Sequence, residues 1–238
     1  MIKTFLGTVT DLFYPRRCPV CDRAVRPFGS LVCETCGHEF RYVKAPYCMK
    51  CGKELFGETE EYCGDCMRRR HLFDCGRAVF VYKSVSDSIY RFKYKGRQEY
   101  GAYYALCMAA RLGDWIARRR PDALIPVPVH ASKKRKRGYD QAQVLARELG
   151  RLLHIPVEDD LVKRVRRTAP MKDLPLSERQ NNLKRAFKIC RNDVKLNTVI
   201  IIDDIYTTGS TIDAVSYELR RAGVKRIYFI ALAIGNGV

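Results

Sequence analysis

The apolar positions change rhythm along this chain. Ile2, Phe5, Leu6, Val9, Leu12 and Phe13 keep helical spacing until Pro15 stops it, which predicts a short amphipathic helix packed on its own protein. From there to about residue 74 little apolar period is visible. Beyond it, strand-like and helix-like patterns alternate. Ala78 to Tyr82 reads as a strand, and Tyr103, Leu106, Ala110, Gly113 and Ala117 share one helical face. Ala123 to Val127 is a short apolar run, and Ala142, Leu145, Ala146, Leu149 and Leu153 mark a further helix. Thr198 to Ile202 is continuously β-branched, as expected of a buried parallel strand. Ile212, Val215, Leu219 and Ala222 stripe a helix that Gly223 can cap, and Ile227 to Ala233 is a last buried strand. The alternation predicts an α/β domain with a mainly parallel sheet flanked by helices. The expected division is 1–74 and 75–238. The polar, aperiodic stretch from Arg164 to Asn182 reads as a long loop followed by a short helix, and loops of that length are often functional.

The aperiodic first part is ruled by cysteine. The chain has 11, and eight form Cys-x-x-Cys pairs: Cys18 with Cys21, Cys33 with Cys36, Cys48 with Cys51, and Cys63 with Cys66. The pairs recur every 15 residues. A thiolate pair in a tight turn grips half of a tetrahedral ion, and a second pair completes it. Four pairs therefore predict two closed, structural zinc sites; disulfides and an iron–sulfur cluster are the alternatives. Zinc binding releases roughly 10–16 kcal/mol in such modules, which is what a segment poor in core needs in order to fold. Sequential sites (Cys18, Cys21, Cys33, Cys36, then Cys48, Cys51, Cys63, Cys66) close short loops; a cross-braced pairing satisfies the same spacing. His38 and His71 are not needed as ligands. Cys75, Cys107 and Cys190 read as ordinary buried thiols. With metal on one side and apolar side chains on the other, the two parts are expected to draw on separate sources of stability.

Charge separates them as well. Of 44 Lys and Arg and 26 Asp and Glu, giving a net charge of +18, the first 75 residues contribute only +2. The excess lies beyond, densest between residues 118 and 191. There is no run of eighteen apolar residues, so no membrane span is expected. The start lacks the pattern of a signal peptide, and the chain is expected to stay in the cytoplasm.

The strongest chemical signal follows the β-branched run: Asp203, Asp204, Ile205, Tyr206, Thr207, Thr208, Gly209, Ser210, Thr211. A strand ending in two carboxylates, a Thr/Gly/Ser turn and a helix start suit a 5-phosphorylated ribose. Free amides at the helix start cradle the phosphate, and the paired acids suit vicinal hydroxyls. An Asp-rich turn with a plain helix cap is the ordinary alternative. The Gly-Lys-Ser/Thr of a Walker loop is missing.

That segment resembles the diphosphate-sugar binding motif of type I phosphoribosyltransferases. With the four Cys pairs, Ile125 to His130, Arg137 to Gln141 and Ser177 to Asn182, the whole chain resembles the ComF (competence protein F-like) family. The resemblance implies a small double zinc ribbon followed by a type I phosphoribosyltransferase-like domain, and an association with DNA uptake in natural transformation. It implies ribose-binding acids at Asp203 and Asp204 and a phosphate loop at Thr207, Thr208, Gly209, Ser210 and Thr211. It also implies pyrophosphate contacts through the backbone at Val129 and His130, with Arg137 and Gln141 beside them and Arg179 and Asn182 at the end of the long loop. Two departures stand out. The family usually has Asn at position 140, where this chain has Asp140. Purine phosphoribosyltransferases usually have Asp at position 207, where this chain has Thr207, which argues against purine salvage.

Two functions follow. The first is a phosphoribosyltransferase: an acceptor nitrogen attacks C1′ of phosphoribosyl pyrophosphate, pyrophosphate leaves, and Mg²⁺ accompanies the sugar diphosphate. The second is a non-catalytic protein of the same fold that binds single-stranded DNA or a nucleotide. For it, Lys133, Lys134, Arg135 and Lys136 would meet backbone phosphates, and Tyr103, Tyr104 and Tyr139 would stack on bases. The ordinary alternative for that run is a solvated basic loop. Proteins of the DNA-uptake machinery are candidate partners in either case.

Overall fold

The computed structural model describes residues 15–27, 29–57, 59–165, 186–191 and 193–235. The expected N-terminal helix, and the part of the long loop that holds Arg179 and Asn182, lie outside the described residues.

The cysteine segment is one unit used twice, thirty residues apart. Antiparallel bridges join Arg17 to Ala24 and, in the same place of the second copy, Tyr47 to Glu54. Each first Cys donates its N–H across the turn, Cys18 to Arg23 O and Cys48 to Lys53 O, both at 2.8 Å. The residue after each first pair has positive φ, Asp22 at 57° and Gly52 at 75°. In the first copy a 3₁₀ turn, Glu34–Cys36, supplies the second pair; in the second copy a short helix, α1 (Gly64–Arg68), does so.

After the ribbons come β1 (Cys75–Val81), α2 (Tyr82–Tyr94), α3 (Tyr100–Ala117), β2 (Ala123–Pro126), α4 (Ala131–Arg137) and α5 (Gln141–Leu153). A two-stranded antiparallel pair follows, β3 (Val162–Arg164) with β4 (Phe187–Ile189), then β5 (Thr198–Tyr206), α6 (Ser210–Arg221) and β6 (Arg226–Ile234). The main sheet is parallel in the order β1-β6-β5-β2. Side chains alternate across it. Val199 and Ile201 meet Ile212, Val215 and Leu219 of α6 on one face. Ile200 and Ile202 meet Ile89, Phe92, Tyr104, Met108 and Leu145 of α2, α3 and α5 on the other.

Several expectations need correction. The helix around residue 106 exists, but its buried face is Tyr104, Ala105, Met108, Leu112 and Ile116, while Leu106 is 47% exposed. The small residues Ala110, Gly113 and Ala117 fit either side of a helix, and the aromatic residues decide which side is buried. Helix α2 was not expected, although Val85, Ile89 and Phe92 have helical spacing and are buried. Arg164 ends a strand rather than opening a loop. Cys190 is exposed and Cys75 half-buried, so only Cys107 of the three unpaired thiols is a core thiol.

The two parts are packed together rather than standing apart. Cys48, Cys51 and Cys63 belong to the same apolar cluster as Phe73, Ile201 and Phe229. Val43 N–H donates to Val79 O and Val81 N–H to Arg41 O, both at 2.9 Å, so the segment between the ribbons pairs with the β1 edge of the sheet. The first ribbon is held by Asp22. Its carboxylate takes Arg97 Nε at 2.8 Å and the Tyr100 hydroxyl at 2.6 Å. Among the described residues, no helix is long and apolar enough to cross a membrane.

Candidate functional site

The cysteines form two groups, Cys18, Cys21, Cys33, Cys36 and Cys48, Cys51, Cys63, Cys66, with the sulfurs of each group within 4.8 Å of one another. The pairing is sequential. Cys21 and Cys33 sulfurs are 4.0 Å apart, and those of Cys51 and Cys63 are 3.6 Å apart. A tetrahedron with metal–sulfur bonds of about 2.3 Å has edges of about 3.8 Å. The sulfurs therefore fit zinc. Among the described residues, neither His38 nor His71 belongs to such a group.

The second site lies at the C-terminal end of the parallel sheet, where open α/β sheets bind ligands. Strand β5 runs through both acids, so Asp203 and Asp204 stand on opposite faces at its end. On the helix-bundle side, Asp204 Oδ1 accepts from Lys93 Nζ of α2 at 2.8 Å. Asp203 Oδ1 accepts from the Asp204 N–H at 2.8 Å. Burial first, then the Asp204 charge, push the Asp203 carboxyl well above the usual carboxylate pKa; Lys93 opposes this. Arg164 of β3, stacked 5.3 Å from the Phe187 ring centroid, is near enough to Asp203 for its charge to register.

The turn after β5 bends at Gly209, with φ 78°. A β-carbon there would stand 2.6 Å from Tyr206 Oη and 2.9 Å from His71 Cε1, so glycine is required by both conformation and space. Gly209 is the N-cap of α6 and has no side chain to cap it, which leaves the first amides of the helix for a ligand. Asp203 and residues 205–212 line an open, shallow cleft.

Opposite lies the turn after β2. Val129 N–H donates to Asp140 Oδ2 at 2.8 Å. Asp140 Oδ1 caps α5 by accepting from Ala142 N–H at 3.1 Å and Gln143 N–H at 3.4 Å. The extra acid of this chain is thus fully bonded to backbone, and burial, with Asp204 adding to it, raises its pKa. His130 caps α4 by accepting from Ser132 N–H at 3.2 Å.

The basic run is a short helix, α4, rather than a loop. Lys134, Arg135 and Lys136 face solvent, Lys133 is exposed but with its ammonium partly packed, and Arg137 turns in. Its guanidinium donates to Gln141 Oε1 at 2.7 Å and to the Tyr94 hydroxyl at 3.0 Å. Packing around the Lys133 ammonium, and then Arg164 and Arg137 nearby, hold it below its ordinary pKa. Lys93 and Arg164 therefore bring positive charge to the acids, and Lys133 stands next to both of these cations and to Arg137. Lys93 was not anticipated; the apolar spacing of α2 was the available signal.

The expected stacking groups are wrong. Tyr103, Tyr104 and Tyr139 are buried. Tyr104 shares a hydrogen bond with Ser88, and the Tyr139 hydroxyl donates to Phe92 O. The exposed rings beside the basic helix are Tyr90 and Tyr94 of α2, with centroids 5.1 Å apart and Arg137 4.8 Å from the Tyr94 centroid.

Fold and site thus define a double zinc ribbon joined to a phosphoribosyltransferase-type α/β domain. Comparison with known proteins agrees. The double zinc ribbon domain family matches residues 9–67 and the phosphoribosyl transferase domain family residues 117–237. Competence protein F of Haemophilus influenzae is 32% identical over 224 residues, covering 91% of this chain and 89% of that protein. The DNA utilization protein YhgH of Escherichia coli (strain K12) is 29% identical over 216 residues, 88% of this chain and 86% of that protein. Competence protein ComFC of Bacillus subtilis is 27% identical over 148 residues, 57% of this chain and 54% of that protein. The chain belongs to the ComF (competence protein F-like) family.

Proposed function

We propose that the protein binds phosphoribosyl pyrophosphate with Mg²⁺ and transfers its phosphoribosyl group in the context of DNA uptake or utilisation. The observation that carries this is the cluster at the sheet end: two acids on β5, an uncapped helix start behind Gly209, and the cations Lys93 and Arg164 beside the acids. The α6 amides and the hydroxyls of Thr207, Thr208, Ser210 and Thr211 take the 5′-phosphate. Asp203 and Asp204 take the ribose hydroxyls, so Lys93 exchanges a carboxylate partner for a ligand oxygen. Lys133, Arg137 and Arg164 face the pyrophosphate with the 129–130 turn. Hard carboxylate and phosphate oxygens suit Mg²⁺, which when bound offsets charge on the departing pyrophosphate. Positive charge develops at C1′ as the C1′–O bond to pyrophosphate breaks, the acceptor nitrogen forms the new bond to C1′, and its proton passes to solvent water.

The test is calorimetric titration with phosphoribosyl pyrophosphate and Mg²⁺, then pyrophosphate release across a panel of bases and oligonucleotides. Asp203→Asn and Asp204→Asn should each abolish binding while keeping the fold. Unchanged affinity in both overturns the ribose assignment; binding without release leaves a binding protein. One observation favours that second reading, single-stranded DNA held without turnover. The Tyr90–Tyr94 pair stands exposed beside the cations of α4, a stacking surface next to a phosphate track.

A further inference from the structure

Helix α6 carries an acid, Asp213, in the first turn that is to receive a phosphate. A free carboxylate there repels a bound phosphate dianion and offsets the positive helix end that would attract it. Both of its oxygens are taken, and both partners come from the chain that leaves the second ribbon. His71 Nδ1 lies 2.8 Å from Asp213 Oδ2, and Leu72 N–H donates to Oδ1 at 2.8 Å. The His71 side chain is 1% exposed, stacks on Phe73 at 4.7 Å, and leaves Nε2 buried with no partner among the described residues. Its Cε1 edge fills the space a β-carbon on Gly209 would need. The same segment is fastened further along α6: Arg220 donates to Leu72 O at 3.3 Å and bonds Asp74 at 3.0 Å.

We propose that His71 is a positioning residue for the anion loop: it withdraws the Asp213 carboxylate from the helix start and props Gly209 from beneath. The second ribbon, through its exit segment, thereby sets how tightly the α/β domain holds a phosphate. The proposal rests on the phosphate role given above to the 207–211 turn. It makes His71 part of the phosphate site although it touches no ligand.

A double-mutant cycle separates charge control from packing. His71→Ala should weaken binding of ribose 5-phosphate and of inorganic phosphate about tenfold, since the exposed acid lies within one helical turn of the anion. Asp213→Asn alone should leave affinity within about threefold. Adding it to His71→Ala should restore most of the loss, because the repelling charge is gone. Hydrogen exchange of residues 207–213, measured without ligand, should quicken in His71→Ala. His71→Asn places an amide N–H where Nδ1 stands and should keep both properties. Zinc content and circular dichroism confirm that each variant is folded; if His71→Ala loses zinc, the comparison of His71→Asn with His71→Leu replaces it. Unrescued loss, unchanged exchange or unchanged phosphate affinity overturns the proposal. If the variants show the exchange and inorganic-phosphate effects yet the wild type does not bind ribose 5-phosphate, the ribose reading is overturned and this one stands.

Discussion

Gly52 of the second ribbon presses directly on Gly76 of β1: a β-carbon on Gly52 would stand 2.7 Å from the Gly76 carbonyl oxygen. The Gly76 N–H donates to Lys50 O at 2.8 Å, so two backbones are in contact with no side chain between them. This junction makes the ribbon part of the domain's core rather than an appendage. Unfolding the second zinc centre then uncovers Phe73, Tyr206 and the α6 face of the sheet.

Zinc removal should therefore unfold more than the ribbon. In a thermal melt followed by both far-ultraviolet dichroism and a zinc indicator, the protein should show one shared transition, and Cys48→Ser should lower it for the whole chain. Gly52→Ala should destabilise by at least about 2 kcal/mol, from the positive φ and the contact with Gly76 together. An α/β transition that stays put after zinc is stripped refutes the shared core.

The raised pKa of Asp203 sets the sign of its effect on stability. An acid whose pKa is higher folded than unfolded holds its proton more tightly in the fold. The stability it permits is full below the ordinary value of 3.8 and falls as pH rises through the folded pKa. Asp203→Asn removes that loss. Its melting temperature should exceed that of the wild type at pH 7 and approach it near pH 3, while phosphoribosyl pyrophosphate binding disappears. A variant less stable at pH 7 would mean that the acid is a structural hydrogen-bond partner rather than a group held in readiness for a ligand.

Much of this was legible because it rests on local chemistry. Cys spacing fixes which atoms can reach one ion, and Asp203 to Thr211 is continuous in the chain, so strand end, turn and helix start could be placed from sequence. What escaped was contact between distant segments. Lys93 meets Asp204 across 111 positions and His71 meets Asp213 across 142, and neither pair leaves a local mark. The buried face of α3 was misjudged because alanine and glycine carry little information about which side packs. The charge of Asp140 was visible, but its use was not: only the fold brings the Val129 amide to it.

Asp140→Asn should bring the 129–130 turn into play. Asn caps a helix as well as Asp does, so α5 should survive. Its one acceptor oxygen cannot cap α5 and also take the Val129 N–H, and its amide nitrogen would face that donor. The Val129 amide is freed, and a negative charge near Asp204 is lost. Inorganic pyrophosphate should bind roughly tenfold tighter by calorimetry. Weaker binding would mean that the bonded Asp140 carboxylate is what shapes the turn for its ligand.

The basic helix and the exposed tyrosines answer to different measurements, which lets one experiment assign both. Each phosphate neutralised on a single strand contributes about −0.7 to the slope of log affinity against log salt. Replacing Lys133, Lys134 and Lys136 by Ala should make the slope for an oligonucleotide shallower by about 2 if all three meet phosphates, with no change in base preference. Replacing Tyr90 and Tyr94 by Ala should leave the slope alone and weaken binding at every salt concentration, by about 1–3 kcal/mol for each base that stacks. Because Lys133 also stands next to Lys93 and Arg164, the cations beside the acids, phosphoribosyl pyrophosphate is titrated in parallel. Lost sugar-diphosphate affinity with an unchanged oligonucleotide slope would assign the run to pyrophosphate. A shallower slope with normal sugar-diphosphate affinity would assign it to nucleic acid, and no change in either would leave α4 a solvated surface helix.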